Sequence, residues 1–172
     1  MTTRPLLLAV GIAGTAVLAL PNWTEHRPML VWNASASAPV GLYRVVRADE
    51  LEFGALVIAK PPEELAKYLA ERAYVPTGVP LLKHIAAHAG QTICRNGNLI
   101  AIDGDPTALA RDRDRKGRAL PVWRGCRVLG EHEVFLLNSE VPDSFDGRYF
   151  GSLPASTIVG RAVPLLTFGW AR

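Results

Sequence analysis

Cysteine, histidine and aromatic residues are scarce in this chain of 172 residues, which has two cysteines, four histidines and 8% aromatic residues. Neither Cys94 nor Cys126 has a Cys-x-x-Cys or His-x-x-x-His set around it. Because a zinc site needs three or four such ligands, we expect no metal site and no cofactor. Internal repeats and low-complexity linkers are also absent, and the length fits one domain with a sizeable core.

The charge is not strongly one-sided. The formal net charge is +3 and the isoelectric point is about 9.1. The basic residues are scattered rather than aligned on one face, so we expect no binding to nucleic acid. The densest charged run, residues 111–116, alternates in sign and is typical of a solvated loop.

An uncharged apolar run occupies residues 5–20, with Arg4 before it and Trp23 after it. Its length is at the short edge of a membrane span and also within the range of a signal-peptide core. Because no small-x-small cleavage site follows it directly, we favour an uncleaved membrane segment over residues 1–23. The positive-inside tendency places its amino terminus in the cytoplasm. Residues 24–172 are then expected to form one periplasmic domain tethered to the inner membrane.

The two cysteines fit such an exported domain. Paired cysteines oxidise in the periplasm, whereas they stay reduced in the cytosol. We therefore expect a disulfide between Cys94 and Cys126. Two separate buried thiols are the alternative.

Strand and turn signals predict a mostly β fold with minor α content and antiparallel strands. Strands are expected over residues 29–32, 41–46, 55–58, 81–85, 92–94, 99–102, 134–137 and 158–166. Asn96-Gly97 is a strong hairpin signal between two of them. One helix is expected to begin at the Pro61-Pro62-Glu63-Glu64 run and to end before Pro76.

Two short segments carry residues with catalytic potential. Residues 33–43 are Asn-Ala-Ser-Ala-Ser-Ala-Pro-Val-Gly-Leu-Tyr, and residues 81–85 are Leu-Leu-Lys-His-Ile. A serine hydroxyl is a weak nucleophile until a base takes its proton, and a lysine is such a base only while neutral. The apolar neighbours of Lys83 favour burial, which lowers the pKa of a lysine. If the serine segment is extended, Ser35 and Ser37 point to the same side.

A third segment, residues 143–151, is Asp-Ser-Phe-Asp-Gly-Arg-Tyr-Phe-Gly. The three segments in this order resemble the signal peptidase I clan of Ser/Lys proteases, and within it the TraF branch, the peptidases of plasmid conjugation. The resemblance extends from residue 33 to about residue 161. Leader peptidases usually have a Pro-Gly-Asp turn after the lysine segment, whereas residues 89–91 are Ala-Gly-Gln and keep only the glycine.

The resemblance implies a β-rich, signal-peptidase-like fold and a role for each serine and for the lysine. Ser37 would be the nucleophile and Lys83 its general base. Ser35 would donate its hydroxyl to the oxyanion, together with the backbone N–H of Ser37. Ser144 would hydrogen-bond and orient the lysine amine.

Asp146 and Arg148 would be a paired support for this site. A period of two would place Ser144, Asp146 and Arg148 on one face of an extended stretch. Asp143 and Asp146 are also compatible with ordinary turn positions.

Histidine is the more usual base for a catalytic serine, so the histidines compete with Lys83. His84 would point to the opposite face of its strand, His88 lies beside a glycine turn, and His132 precedes a strand. No motif surrounds any of them. Pairs such as His84 with His88 do not complete a zinc site. We therefore expect a Ser/Lys dyad.

For function, the resemblance implies a serine endopeptidase that processes a conjugative pilin precursor beside the conjugation and type IV secretion machinery. The pilin's own amine, rather than water, would resolve the acyl-enzyme if the product is cyclic, and the residues do not select between the two. A general leader peptidase and a non-enzymatic periplasmic pilus-assembly factor are the alternatives.

Overall fold

The structure, a computed structural model, describes residues 30–48 and 51–169. Within these residues, the chain forms eleven β-strands, two α-helices and one 3-10 turn. In chain order the elements are β1 (Leu30–Asn33), β2 (Gly41–Val46), β3 (Leu56–Ala59), α1 (Glu63–Glu71), β4 (Leu81–Ala87), β5 (Thr92–Asn96), β6 (Leu99–Ile102), β7 (Asp105–Leu109), β8 (Gly125–Val128), β9 (Glu133–Leu137), α2 (Gly147–Phe150), β10 (Leu153–Pro154), the 3-10 turn (Ala155–Thr157) and β11 (Ile158–Thr167).

The strands form two sheets. The larger sheet has seven strands in the order β1-β2-β11-β3-β4-β9-β10, and the smaller has four in the order β7-β6-β5-β8. Every pairing between neighbouring strands is antiparallel. The prediction of a mostly β fold with minor α content is therefore confirmed, and the long return strand β11 joins the serine-bearing hairpin to the centre of the sheet.

Strand β4 lies inside the larger sheet, between β3 and β9. Because side chains alternate along a strand, Leu81, Lys83 and Ile85 point to one face. Leu81 and Ile85 belong to a core cluster with Val57 and Leu69, and all four are at most 4% exposed. The alternation therefore places Lys83 on the same face of the sheet as the core residues Leu81 and Ile85.

Helix α1 covers part of this face. Its residues Leu65 and Leu69 pack on the core cluster, and Glu63 and Glu64 occupy its first turn, where acidic side chains favour the helix dipole. The helix ends at Glu71, as expected before Pro76.

The smaller sheet is built on the β5–β6 hairpin. Asn96 pairs with Leu99, so the two-residue loop is Gly97-Asn98, one position later than the Asn96-Gly97 signal suggests. Gly97 adopts a φ of 60°, which favours glycine. Cys94 lies opposite Cys126 on β8, and the two form the expected disulfide with a Cα–Cα distance of 4.0 Å.

Five elements were not expected from the sequence: β7, β8, β10, α2 and the 3-10 turn. Strand β8 is exposed along its whole length and so lacks an alternating apolar pattern. Strand β7 contains Pro106, a residue that argues against a strand. The predicted membrane segment, residues 1–23, lies outside the described residues. In the part of the chain that the structure describes, no helix is long and apolar enough to span a bilayer.

The disulfide closes a loop with a sequence separation of 32 residues. Replacing both cysteines (Cys94→Ala/Cys126→Ala) should lower the free energy of unfolding by about 3–4 kcal/mol, because the unfolded chain regains the entropy of the open loop. Urea unfolding of the oxidised protein and of the double variant measures this difference. Thiol labelling of exported protein under denaturing, non-reducing conditions should find no free thiol, and two labelled cysteines would contradict the bridge.

Candidate active site

The serine segment is a tight loop between β1 and β2 that the side chain of Asn33 holds together. The Asn33 amide nitrogen donates to the carbonyl oxygens of Ser35, Ala38 and Pro39 at 3.0, 3.0 and 3.1 Å. Its Oδ1 accepts from the backbone N–H of Ser35 at 3.0 Å. The hydroxyl of Tyr43 donates to the Pro39 carbonyl at 2.6 Å. The loop is therefore fixed from both flanking strands.

Ser35 and Ser37 do lie side by side, although for a different reason from the one expected. Their hydroxyl oxygens are 2.8 Å apart and share a hydrogen bond. The backbone between them forms a turn rather than an extended stretch, so the expected period of two is wrong here. The Asn33 side chain hydrogen-bonds the backbone groups of this turn, and the turn brings the two hydroxyls together.

Lys83 is buried, with 3% of its surface exposed. Its Nζ donates a hydrogen bond to the hydroxyl of Ser144 at 2.8 Å. Burial lowers the pKa of the Lys83 amine from 10.5 to about 8, because an ammonium group loses its hydration inside the protein. A substantial fraction of the amine is therefore neutral at mildly alkaline pH.

Asp146 and Arg148 form an ion pair that is 0% and 1% exposed in its side chains. The contact is bidentate: the Nε and Nη2 of Arg148 donate to the two carboxylate oxygens of Asp146 at 2.9 and 2.8 Å. Asp146 also accepts the backbone N–H of Arg148 at the start of α2. These residues therefore sit at a helix N-terminus, and the expected extended stretch with a common face is wrong.

This ion pair influences the pKa of Lys83 from both sides. The negative charge of Asp146 raises the pKa, and the positive charge of Arg148 lowers it. Burial is the largest cause of the shift, and the two charges act on the pKa in opposite directions. A carboxylate without its arginine would instead stabilise the ammonium form.

Asn138, a residue to which the sequence assigned no role, connects these parts. Its side-chain amide donates to the carbonyl oxygens of Ser37 and Leu82, the latter at 3.2 Å. Its backbone N–H donates to Asp146 at 3.1 Å, and its carbonyl accepts from Arg148 at 3.1 Å. Asn138 thus ties the serine loop, the lysine strand and the ion pair together. The one feature of the sequence that could have identified Asn138 is its position as a polar residue directly after the apolar run of β9.

Ser35, Ser37, Lys83 and Ser144 line one cavity of about 630 Å³. Among the described residues, no hydrogen bond joins the Ser37 hydroxyl to the Lys83 amine; each bonds to its own serine partner. Catalytic hydrogen bonds are often long or poorly aligned before substrate binds. The cavity is mainly apolar, with aromatic side chains such as Phe145 along its wall.

His84, His88 and His132 do not line this cavity. The backbone N–H and the Nδ1 of His84 both contact the Oδ1 of Asn138, at 3.1 and 3.0 Å, and the Nδ1 of His88 is 3.3 Å from the Ala89 carbonyl. Within residues 30–48 and 51–169, no three acidic, histidine or cysteine side chains are grouped so that they could hold a metal ion.

The role of Asn138 can be measured. The Asn138→Ala variant should lose about 2–4 kcal/mol of unfolding free energy, because two carbonyls and the His84 N–H lose a buried partner. It should also slow any reaction that uses Ser37 and Lys83. Ser139→Ala, at the exposed neighbouring position, is the matched control and should stay within about 0.5 kcal/mol. Equal urea midpoints for Asn138→Ala and the unchanged chain would contradict this role.

Comparisons with known proteins find relatives that align with most of this chain. The chain is 37% identical over 147 residues to the "Probable conjugal transfer protein TraF" of Sinorhizobium fredii NGR234, covering 79% of this chain and 76% of the relative. It is 32% identical to the conjugal transfer protein TraF of Agrobacterium fabrum C58, covering 98% and 99%, and 31% identical to a plasmid transfer protein TraF of Escherichia coli, covering 96% and 97%.

A solved signal peptidase I from Enterococcus faecalis V583 aligns with 66% of this chain and 97% of its own, with 16% identity and a TM-score of 0.38, a likeness too low to support a conclusion. The model of one family, signal peptidase, peptidase S26, matches residues 2–167. That match spans nearly the whole sequence and includes all three motif segments. The chain therefore belongs to the signal peptidase family, peptidase S26.

Proposed function

We propose that this protein is a periplasmic serine endopeptidase, tethered to the inner membrane by residues 1–23, that uses Ser37 and Lys83 as a catalytic dyad. The observation that carries the proposal is that the buried Lys83 amine and Ser37 line the same cavity. The pKa of this amine is about 8. Membership in a peptidase family supports the same conclusion.

In this mechanism the neutral Lys83 amine takes the proton of the Ser37 hydroxyl, and the serine oxygen attacks the substrate carbonyl. In the structure the Ser35 hydroxyl is 2.8 Å from the Ser37 oxygen. During the reaction it donates a hydrogen bond to the developing oxyanion, together with the Ser37 backbone N–H. The Lys83 ammonium then returns its proton to the leaving amine. Ser144 holds the Lys83 amine in place through its 2.8 Å hydrogen bond.

For the substrate, we propose the precursor of a conjugative pilin. The relatives are named as conjugal or plasmid transfer proteins, and a pilin precursor is a membrane-borne protein that a tethered peptidase would meet. The apolar cavity suits a segment of such a precursor bound in extended form. The conjugation machinery is the proposed setting.

The acyl-enzyme is resolved by water or by the amino group of the pilin itself. Water gives a linear product. The amine gives a cyclic product that is one water lighter than the corresponding linear chain. Mass spectrometry of the pilin distinguishes the two, and either product supports the dyad.

The dyad is tested by substitutions at Ser37, Lys83 and Ser35. Ser37→Ala and Lys83→Met should each abolish processing of the pilin precursor, and the double variant should be no worse than either single one, because the two residues act as a unit. Ser35→Ala should slow processing by roughly 100- to 1,000-fold, as expected for the loss of one oxyanion donor. Mass spectrometry of the pilin measures all of these.

Ser139→Ala and His88→Ala are the controls, since neither residue lines the cavity, and both should process normally. Near-normal processing by Lys83→Met would exclude Lys83 as the base. Accumulation of many unrelated exported precursors in cells lacking the protein would instead identify a general leader peptidase. Normal pilus assembly with Ser37→Ala would identify a non-enzymatic assembly factor.

A further inference from the structure

The charged segment 111–116, expected to be a solvated loop, lines the candidate active-site cavity. It belongs to a small hairpin in which Arg113 bridges to Ala119. The Nη1 of Arg72 donates to the carbonyl of Ala119 at 3.0 Å, and the Nη2 of Arg118 donates to the carbonyl of Arg72 at 2.9 Å. The hairpin is therefore docked on the end of α1, while most residues of the run 111–116 are exposed to solvent, as expected.

Asp114 is the internal support of this hairpin. Its carboxylate accepts the hydroxyl of Tyr74 at 2.5 Å, the Nε of Arg118 at 2.7 Å and the backbone N–H of Lys116 at 2.9 Å. Desolvation raises the pKa of the Asp114 carboxyl, but these hydrogen bonds lower it by more. Asp114 therefore stays ionised, and its oxygens are occupied within the hairpin.

The charges that line this end of the cavity do not balance. Leaving Lys83 aside, six cationic side chains and two carboxylates line the cavity, a net charge of +4. The cations are Arg72, Arg111, Arg113, Arg115, Lys116 and Arg118, and the carboxylates are Asp114 and Asp143. Asp112 belongs to the same segment but does not line the cavity.

Both carboxylates are already engaged. Asp114 pairs with Arg118 at 2.7 Å, and Asp143 is shared by Arg111, at 2.7 Å, and Arg115. Arg113 and Lys116 are exposed and, among residues 30–48 and 51–169, have no carboxylate in ion-pair contact. The guanidinium of Arg113 donates one hydrogen bond to the Gly117 carbonyl at 2.7 Å, which leaves most of its donors available.

We propose that this cationic rim, defined by Arg111, Arg113, Arg115 and Lys116, binds a carboxylate of the substrate in the same cavity that Ser37 and Lys83 line. The inference rests on the proposed function. Arg113 presents a planar fork suited to a carboxylate, and Lys116 adds a second charge. The cavity thus selects a segment that combines apolar side chains, which fit its walls, with an acidic side chain or a chain-terminal carboxylate at its rim.

Binding is measured by calorimetry on the full chain carrying Ser37→Ala, in a neutral detergent, so that no peptide is cleaved. The probes are an alanine-rich peptide with two glutamates, its twin with two glutamines, both amidated at the C-terminus, and the glutamine peptide with a free C-terminal carboxylate. At least one carboxylate-bearing peptide should bind about tenfold more tightly than the amidated glutamine peptide. Added salt should reduce this preference. Comparing the glutamate peptide with the free-carboxylate glutamine peptide shows whether the rim binds a side-chain carboxylate or a C-terminal one.

The Arg113→Gln/Lys116→Gln variant should reduce the preference to less than about threefold. Arg44→Gln/Arg124→Gln removes the same charge from exposed positions outside the cavity, and it should keep the preference. Equal binding of all three peptides, or a preference that survives in the rim variant, would overturn the proposal. Cleavage of the pilin precursor that depends on Ser37 but shows no carboxylate preference would leave the proposed function standing and reject only the rim.

Discussion

The burial of one lysine without a carboxylate partner is the constraint on which the rest of this structure depends. Lys83 is 3% exposed and hydrogen-bonds a neutral hydroxyl, and among the described residues no acidic group forms an ion pair with it. The difference between its pKa of about 8 and the ordinary 10.5 corresponds to about 3 kcal/mol of unfavourable burial while the amine is charged. The remainder of the sheet must offset that free energy, and the result is a base of which a substantial fraction is neutral at mildly alkaline pH.

The surrounding network keeps this lysine from acquiring a compensating charge. Asp146 is close enough to influence Lys83, yet its carboxylate is bound by Arg148 through two hydrogen bonds and by the N–H of Asn138. Removing one partner of such a buried pair usually costs 3–5 kcal/mol. Asn138 extends the same network to the carbonyl of Ser37, so the position of the nucleophile and the electrostatics of the base depend on one set of contacts.

The sequence was sufficient to predict the strands whose apolar and polar residues alternate clearly. It was also sufficient to predict which residues make up the site. Both predictions use periodicity and motif order, which are local properties. It failed where tertiary contacts decide. Ser35 and Ser37 meet through a turn that Asn33 holds, and Asp146 begins a helix that no pattern predicted. The hub role of Asn138 depends on five partner residues that only the folded chain brings to it. They are Ser37, Leu82, His84, Asp146 and Arg148. The charged run 111–116 alternates in sign, and only its docking on α1 shows that it lines the cavity.

The central claim is that Lys83 can be neutral when Ser37 needs a base, and its pKa can be measured directly. The chain has four lysines, so carbon-13 labelling of lysine gives few signals, and Lys83→Met identifies the one of interest. The account predicts a titration midpoint near 8, with the amine neutral above it and able to accept the serine proton, so kcat/KM should rise through the same pH. A midpoint near the ordinary 10.5, or a rise in kcat/KM near 6.5 as for a histidine base, would contradict it.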